Sequence, residues 1–161
     1  MPEVICNTSP LQYLHQIGLL DIIHSLAGSI IVPPFVVAEL YAGIEKGLDL
    51  PQPENIEWVR IQAPISTSAV TLITDLGPGE SQVLMLVLEM PGSIALLDDA
   101  LARRVANARG IPIKGTLGLL LDAKRVGLLE TVEPSLDRLH ELGFHLAEQT
   151  RIAVLKLAGE S

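Results

Sequence analysis

Cysteine is almost absent from this 161-residue chain: Cys6 stands alone. No intrachain disulfide can form, and no zinc site can rest on paired thiolates. Aromatic residues are also scarce, at 3%, which leaves few platforms for stacking bases. Lys and Arg together number 11 against 19 Asp and Glu, a formal net charge of −8. That balance argues against nucleic-acid binding through bulk positive charge, because phosphate affinity comes mainly from Lys and Arg. Long hydrophobic runs are missing too. The longest, around Ile30 to Ala38, contains Pro33 and Pro34 and is too short to span a bilayer. No basic leader precedes a signal-like run, so the cytoplasm is the expected location and no membrane partner is expected. The histidines, His15, His24, His140 and His145, lack metal-binding spacing such as HExxH and read as structural or surface residues.

What is present is apolar mass. Hydrophobic residues make up 48% of the chain, enough for a sizeable core of Leu, Ile, Val and Ala. The length fits a single domain over residues 1–161, with C-terminal helices from about residue 133. Short apolar runs alternate with helical patterns. Glu3–Cys6, Ser29–Val32, Trp58–Ile61, Ser93–Leu97 and Ile111–Ile113 read as strands, Trp58–Ile61 as a short edge strand. Helices are expected from Thr8 or Ser9 to Ile17, over Leu19–Leu26, and from Phe35 to Ile44. Others should follow Gly77-Pro78-Gly79-Glu80, Asp98-Asp99 and Gly115-Thr116, with two more over Pro134–Leu142 and Ala147–Leu157. Ser66, Thr67 and Ser68 offer a further helix start. Strands alternating with helices predict an α/β fold with a mostly parallel sheet covered on both faces.

In such a sheet, sites form beyond the carboxyl ends of the strands. Asn7-Thr8-Ser9, Asp98-Asp99 and Gly115-Thr116 follow three of those ends, and Glu39 and Glu80 lie in early helical turns. These oxygen donors suit a hard cation such as Mg²⁺ or Mn²⁺. Taken singly, each also has an ordinary structural use: Asp98, Asp99 or Thr116 as a helix cap, Glu80 beside a helix dipole, Glu39 on a solvent stripe. Charge is uneven along the chain. Arg103, Arg104, Arg109, Lys114, Lys124 and Arg125 are opposed only by Asp122 between Ala100 and Leu129. This basic segment is either a phosphate-binding surface beside the acids or a set of solvated helix faces. A nucleotide turn at Gly77-Pro78-Gly79-Glu80 is disfavoured, since no Walker lysine follows.

Five blocks occur in one order: Asn7-Thr8-Ser9-Pro10-Leu11; Val32-Pro33-Pro34 with Val37 and Glu39-Leu40; Gly77-Pro78-Gly79-Glu80-Ser81; Leu97-Asp98-Asp99 with Ala102-Arg103; and Gly115-Thr116-Leu117-Gly118 before Ala123-Lys124. Together they resemble the PIN-domain family, especially its prokaryotic toxin-like (VapC-type) branch. The resemblance implies a three-layer α/β/α fold around a twisted, roughly five-stranded sheet. It also implies a Mg²⁺- or Mn²⁺-dependent endoribonuclease acting on RNA, often the toxin of a toxin–antitoxin pair and often a homodimer. Glu39 and Glu80 would match the family's second and third acids, and Asp98 or Asp99 the fourth, as metal ligands. Thr116 would match its small hydroxyl residue near the metal. Asn7 stands where the family has its first aspartate. An amide oxygen still ligates but brings no charge, so metal affinity and activity should fall. An inactive module that binds RNA or a protein partner is the alternative. The apolar helices Leu11–Leu26 and Phe35–Ile44 are candidates for a dimer seam.

Overall fold

The computed structural model describes residues 2–65 and 76–161. The helix start expected at Ser66–Ser68 lies outside them. Five parallel strands, β1 (Val4–Cys6), β2 (Ile30–Val32), β3 (Val59–Ile61), β4 (Ile94–Leu96) and β5 (Ile113–Lys114), form one sheet in the order β3-β2-β1-β4-β5. The register pairs Ile5 with Ile31 on one side and with Ala95 on the other. β1 and β2 are buried at every residue, as strands covered on both faces must be. β3 lies at the edge, with Arg60 and Ile61 exposed, as expected of a short edge strand that carries a charged residue. The result is the expected three-layer α/β/α arrangement.

Eight helices flank the sheet among the described residues: α1 (Thr8–Gln16), α2 (Asp21–Ala27), α3 (Pro34–Glu45), α4 (Pro78–Glu89), α5 (Ala100–Ala108), α6 (Thr116–Arg125), α7 (Glu133–Glu141) and α8 (Glu148–Leu157). α4 packs on β1 and β4, while α6 meets α1, α2 and α8. Val83, Leu84, Leu86 and Val87 of α4 are all buried, which makes it a central helix rather than an amphipathic surface one. Much of the apolar content of α1 and α2 (Leu11, Leu14, Ile22 and Ile23) enters this same core. No helix among the described residues is long and apolar enough to cross a membrane.

Two glycines set the element boundaries. Gly18, at φ +76°, ends α1 in a left-handed turn: its N–H bonds His15 O, and Leu19 N–H bonds Leu14 O. Gly110, at φ +68°, closes α5 the same way, with Ile111 N–H donating to Ala106 O. That bond corrects the expected strand Ile111–Ile113. Ile111 spends its N–H on the helix end, and Pro112 has none to give, so β5 begins at Ile113.

The C-terminal helices are tied to the rest by one carboxylate. Glu160 Oε2 accepts from Lys124 Nζ at 2.9 Å and from Val132 N–H at 2.8 Å, and Oε1 accepts from Glu133 N–H at 3.1 Å. It thereby serves the first N–H groups of α7, which have no partner within the helix. Desolvation works to raise the Glu160 carboxyl, but these donors and the Lys124 charge outweigh it and hold it below its ordinary 4.5. A depressed acid stabilises the fold above its unfolded value, and that contribution is lost as pH falls through the lower folded value. We therefore expect Tm to drop on acidification from about pH 4.5 downward, and Glu160→Gln to lower Tm at pH 7 and flatten that part of the profile. Parallel thermal melts of both proteins from pH 3 to 7 check this; superimposable wild-type and variant profiles would remove the clamp.

Candidate metal centre

The sheet order reverses direction at β1: β2 and β3 extend to one side, β4 and β5 to the other. The crevice between the carboxyl ends of β1 and β4 is the switch point where ligands of open α/β sheets bind. Asn7 follows β1 there, its N–H extending the ladder to Leu96 O at 2.9 Å. Asp98 follows β4 by two residues. Asn7, Glu80, Asp98 and Asp99 line one cleft of about 520 Å³, walled by Tyr13 and Phe144. These two rings meet edge to face, with centroids 5.0 Å apart.

The adjacent acids have different partners. Asp98 Oδ1 accepts from Thr116 N–H at 2.8 Å, and Oδ2 accepts from Thr116 Oγ1 at 2.7 Å and Ser9 Oγ at 2.9 Å. It is thus a partly buried carboxylate fixed from two elements. Asp99 is exposed, and its Oδ2 accepts from Ala102 N–H at 2.8 Å, the bond of an N-cap. Thr116 is fully buried at the first turn of α6; the residue in the cap position is Gly115. Gly115 is there for closeness: a Cβ on it would sit 2.7 Å from Asp98 Oδ1 and 2.9 Å from Arg103 Nη1.

Glu39 arrives from α3. Thr8 Oγ1 donates to its Oε2 at 2.9 Å. A Cβ on Gly79 would lie 2.3 Å from Glu39 Oε1 and 3.3 Å from Asn7 Oδ1, so both oxygens crowd the same point at the start of α4. Desolvation raises the Glu39 carboxyl above its ordinary range, and the charge of Glu80 adds to this; the Thr8 hydroxyl and Gly79 N–H oppose it. The Cys6 thiol beneath the site is raised by burial and by Asp98, which leaves it unreactive.

Asn7 decides what the cleft accepts. It is 3% exposed, and its Oδ1 is the one fully buried side-chain polar atom among the described residues without a hydrogen-bond partner. An orphaned buried acceptor costs about 1–3 kcal/mol, and a cation or its water would satisfy it. Among the described residues, no three His, Cys, Asp or Glu side chains already form an ion-holding cluster. The physical reasons are visible: one corner is an amide, Thr8 holds Glu39, and Thr116 and Ser9 hold Asp98. The donor set is nonetheless all oxygen, in the mixture of carboxylate and amide that hard divalent ions accept.

The DUF3368 family model, described as a PIN domain, matches residues 3–160. The chain belongs to the PIN-domain family. No curated protein and no solved structure matches it. PIN domains are in general nucleases that use divalent metal ions. In this PIN domain the structure brings Asn7, Glu80, Asp98 and Asp99 to one cleft, with Glu39 and Asn7 crowding the same point at Gly79, Thr116 bonded to Asp98, and Asp99 also capping α5. Thr8 and Ser9, expected among the oxygen donors at the strand end, hold Glu39 and Asp98 by hydrogen bonds. Sequence reading missed Gly79 as part of the site; its signal was position, a glycine one residue before an acid. Tyr13 and Phe144, distant in sequence and apolar, carried no signal.

Proposed function

We propose that this PIN domain is a metal-dependent endoribonuclease. The observation that carries the reading is the orphaned Asn7 Oδ1 at the switch point, facing a site supplied with Glu39, Glu80 and Asp98. Asn7, Glu39, Glu80 and Asp98 would hold Mg²⁺ or Mn²⁺, which when bound supplies charge neutralisation at the phosphoryl oxygens and a more acidic water. Asp98 is pre-set for its part by Thr116 and Ser9. Glu39 is held in place by the Thr8 hydroxyl at 2.9 Å, and the attacking water loses its proton to solvent. The water oxygen bonds to phosphorus, the bond from phosphorus to the leaving oxygen breaks, and that oxygen takes a proton from solvent. Incubating purified protein with a labelled single-stranded RNA and Mn²⁺ tests the reading. Chelator-sensitive cleavage is expected; intact RNA with both Mn²⁺ and Mg²⁺ would remove it.

A second reading rests on Asn7 itself. An amide where the family has an acid supports a weakened or inactive domain that binds RNA or a protein. The resemblance of the five sequence blocks to the toxin-like branch supports a toxin role, an antitoxin partner and a homodimer as proposals, and the cytoplasmic setting is proposed from the lack of a basic leader before a signal-like run. For the dimer, α3 leaves Phe35 and Tyr41 exposed, and light scattering that gives a monomeric mass at all concentrations would exclude it.

A further inference from the structure

The basic segment is the sequence feature that the metal centre leaves unused. Its charges have different fates. Lys114 and Arg125 both pair with Asp122. Lys124 is spent on Glu160 and on Ala158 O. Arg103, Arg104 and Arg109 have no side-chain hydrogen bond or ion pair among the described residues, and of these three Arg103 is the one that reaches the site. Gly115 shows this directly, since its missing Cβ leaves room for both Asp98 Oδ1 and Arg103 Nη1.

A second cavity, of about 450 Å³, lies beside the first. Arg103, Lys114, Gly115 and Thr150 line it, and it shares Asp98, Phe144 and His145 with the metal-centre cleft. The two adjoin at these shared residues, one acidic at Glu80 and Asp98 and the other basic at Arg103, and together offer a path for a chain across the site. A chain carrying regularly spaced anions fits that polarity. One phosphate would lie over the carboxylates, where a cation offsets their repulsion, and the next would meet a positive side chain. A guanidinium without a protein partner, beside the Asp98 carboxylate in a protein of net charge −8, is placed to bind an incoming anion.

We propose that Arg103 anchors the phosphate adjacent to the scissile one in a single-stranded RNA seated along this path. The substrate class rests on the nuclease reading above; the anchoring site has its own test. Binding of a labelled single-stranded RNA is measured in chelator across a salt series, for wild type, Arg103→Gln and Arg104→Gln, the last a surface charge on the same helix. Arg103→Gln should bind about tenfold more weakly and lower the salt slope by about 0.7, the value of one single-strand phosphate contact. Arg104→Gln should bind as wild type does. In Mn²⁺, Arg103→Gln should raise KM for RNA cleavage with kcat held within about twofold. Thermal melts establish that both variants are folded.

Equal behaviour of Arg103→Gln and Arg104→Gln, or no RNA binding by wild type, overturns the proposal. If Arg103 governs binding but nothing is cut, the anchor stands and the nuclease reading falls. If RNA is cut and neither KM nor the salt slope moves in Arg103→Gln, the nuclease reading stands and the anchor falls.

Discussion

Asp98→Asn should abolish cleavage while leaving a folded protein. Asp98 is the acid with the most support: Thr116 N–H, Thr116 Oγ1 and Ser9 Oγ all donate to it within 2.9 Å. Three donors on one carboxylate fix its orientation. The amide keeps the shape and can still accept from Thr116 N–H at one oxygen. Its nitrogen then faces the two hydroxyls, which can turn to accept. The folding cost is that of a weakened hydrogen-bond set, about 1–3 kcal/mol. The cost in rate is larger, because a full negative charge is lost from the ligand set. Several kcal/mol of transition-state charge stabilisation correspond to a rate about 10²- to 10³-fold lower. Asp99→Asn is the matched control. It weakens an exposed helix cap, so it should cost at most about 1 kcal/mol of stability and leave the cleavage rate near wild type. Single-turnover cleavage in Mn²⁺, with thermal melts of each protein, separates the two. Equal rate losses at Asp98 and Asp99 would mean that the site is not organised around Asp98.

The contrast between these neighbours shows where sequence reading stops. Both acids follow the same strand, and nothing local distinguishes them. What does is distant in sequence: Thr116 comes 18 residues later, across β5, and Ser9 comes 89 earlier, across β1. Elements with strong local signals were legible. Pro33-Pro34 and Gly77-Pro78 open α3 and α4 at positions where a missing N–H costs nothing. Ile30–Val32 and Ile94–Leu96 are apolar runs too short for helices. The strand order is set by packing between elements that no local pattern encodes. So was the end of α5 hidden, because the bond from Ile111 N–H to Ala106 O depends on Gly110 turning left-handed. The Arg103 surface was legible only as a basic stretch. Separating its free charges, Arg103 among them, from the paired ones required knowing that Asp122 and Glu160 fold back onto Lys114, Arg125 and Lys124.

Asn7→Asp should have opposite effects on stability without and with metal. The amide oxygen is buried and unpartnered, so a carboxylate there gains no hydrogen bond from protein. It also adds negative charge next to Glu39, which is already raised by desolvation and by Glu80. In chelator the new acid is forced to hold its proton or to ionise against its neighbours. A shift of about two pKa units costs roughly 3 kcal/mol at neutral pH. The sign follows from linkage: the folded pKa is raised, so the penalty is full above it and vanishes as pH falls below the ordinary aspartate value of about 3.9. A divalent cation reverses the balance, because the fourth oxygen donor now carries charge. The variant should bind Mn²⁺ more tightly than wild type, and its Tm should rise far more steeply with added metal, as mass action requires. Melts in chelator and in a Mn²⁺ series, read beside RNA cleavage, test each part. If wild type is silent and Asn7→Asp cuts, the natural amide marks a domain that binds without cutting. If wild type cuts and Asn7→Asp cuts faster, the amide limits an active enzyme by weakening its hold on the ion. If the variant is no less stable in chelator and no more responsive to Mn²⁺, Asn7 does not face a cation site, and the carboxylates around it revert to capping and bracing the helices that carry them.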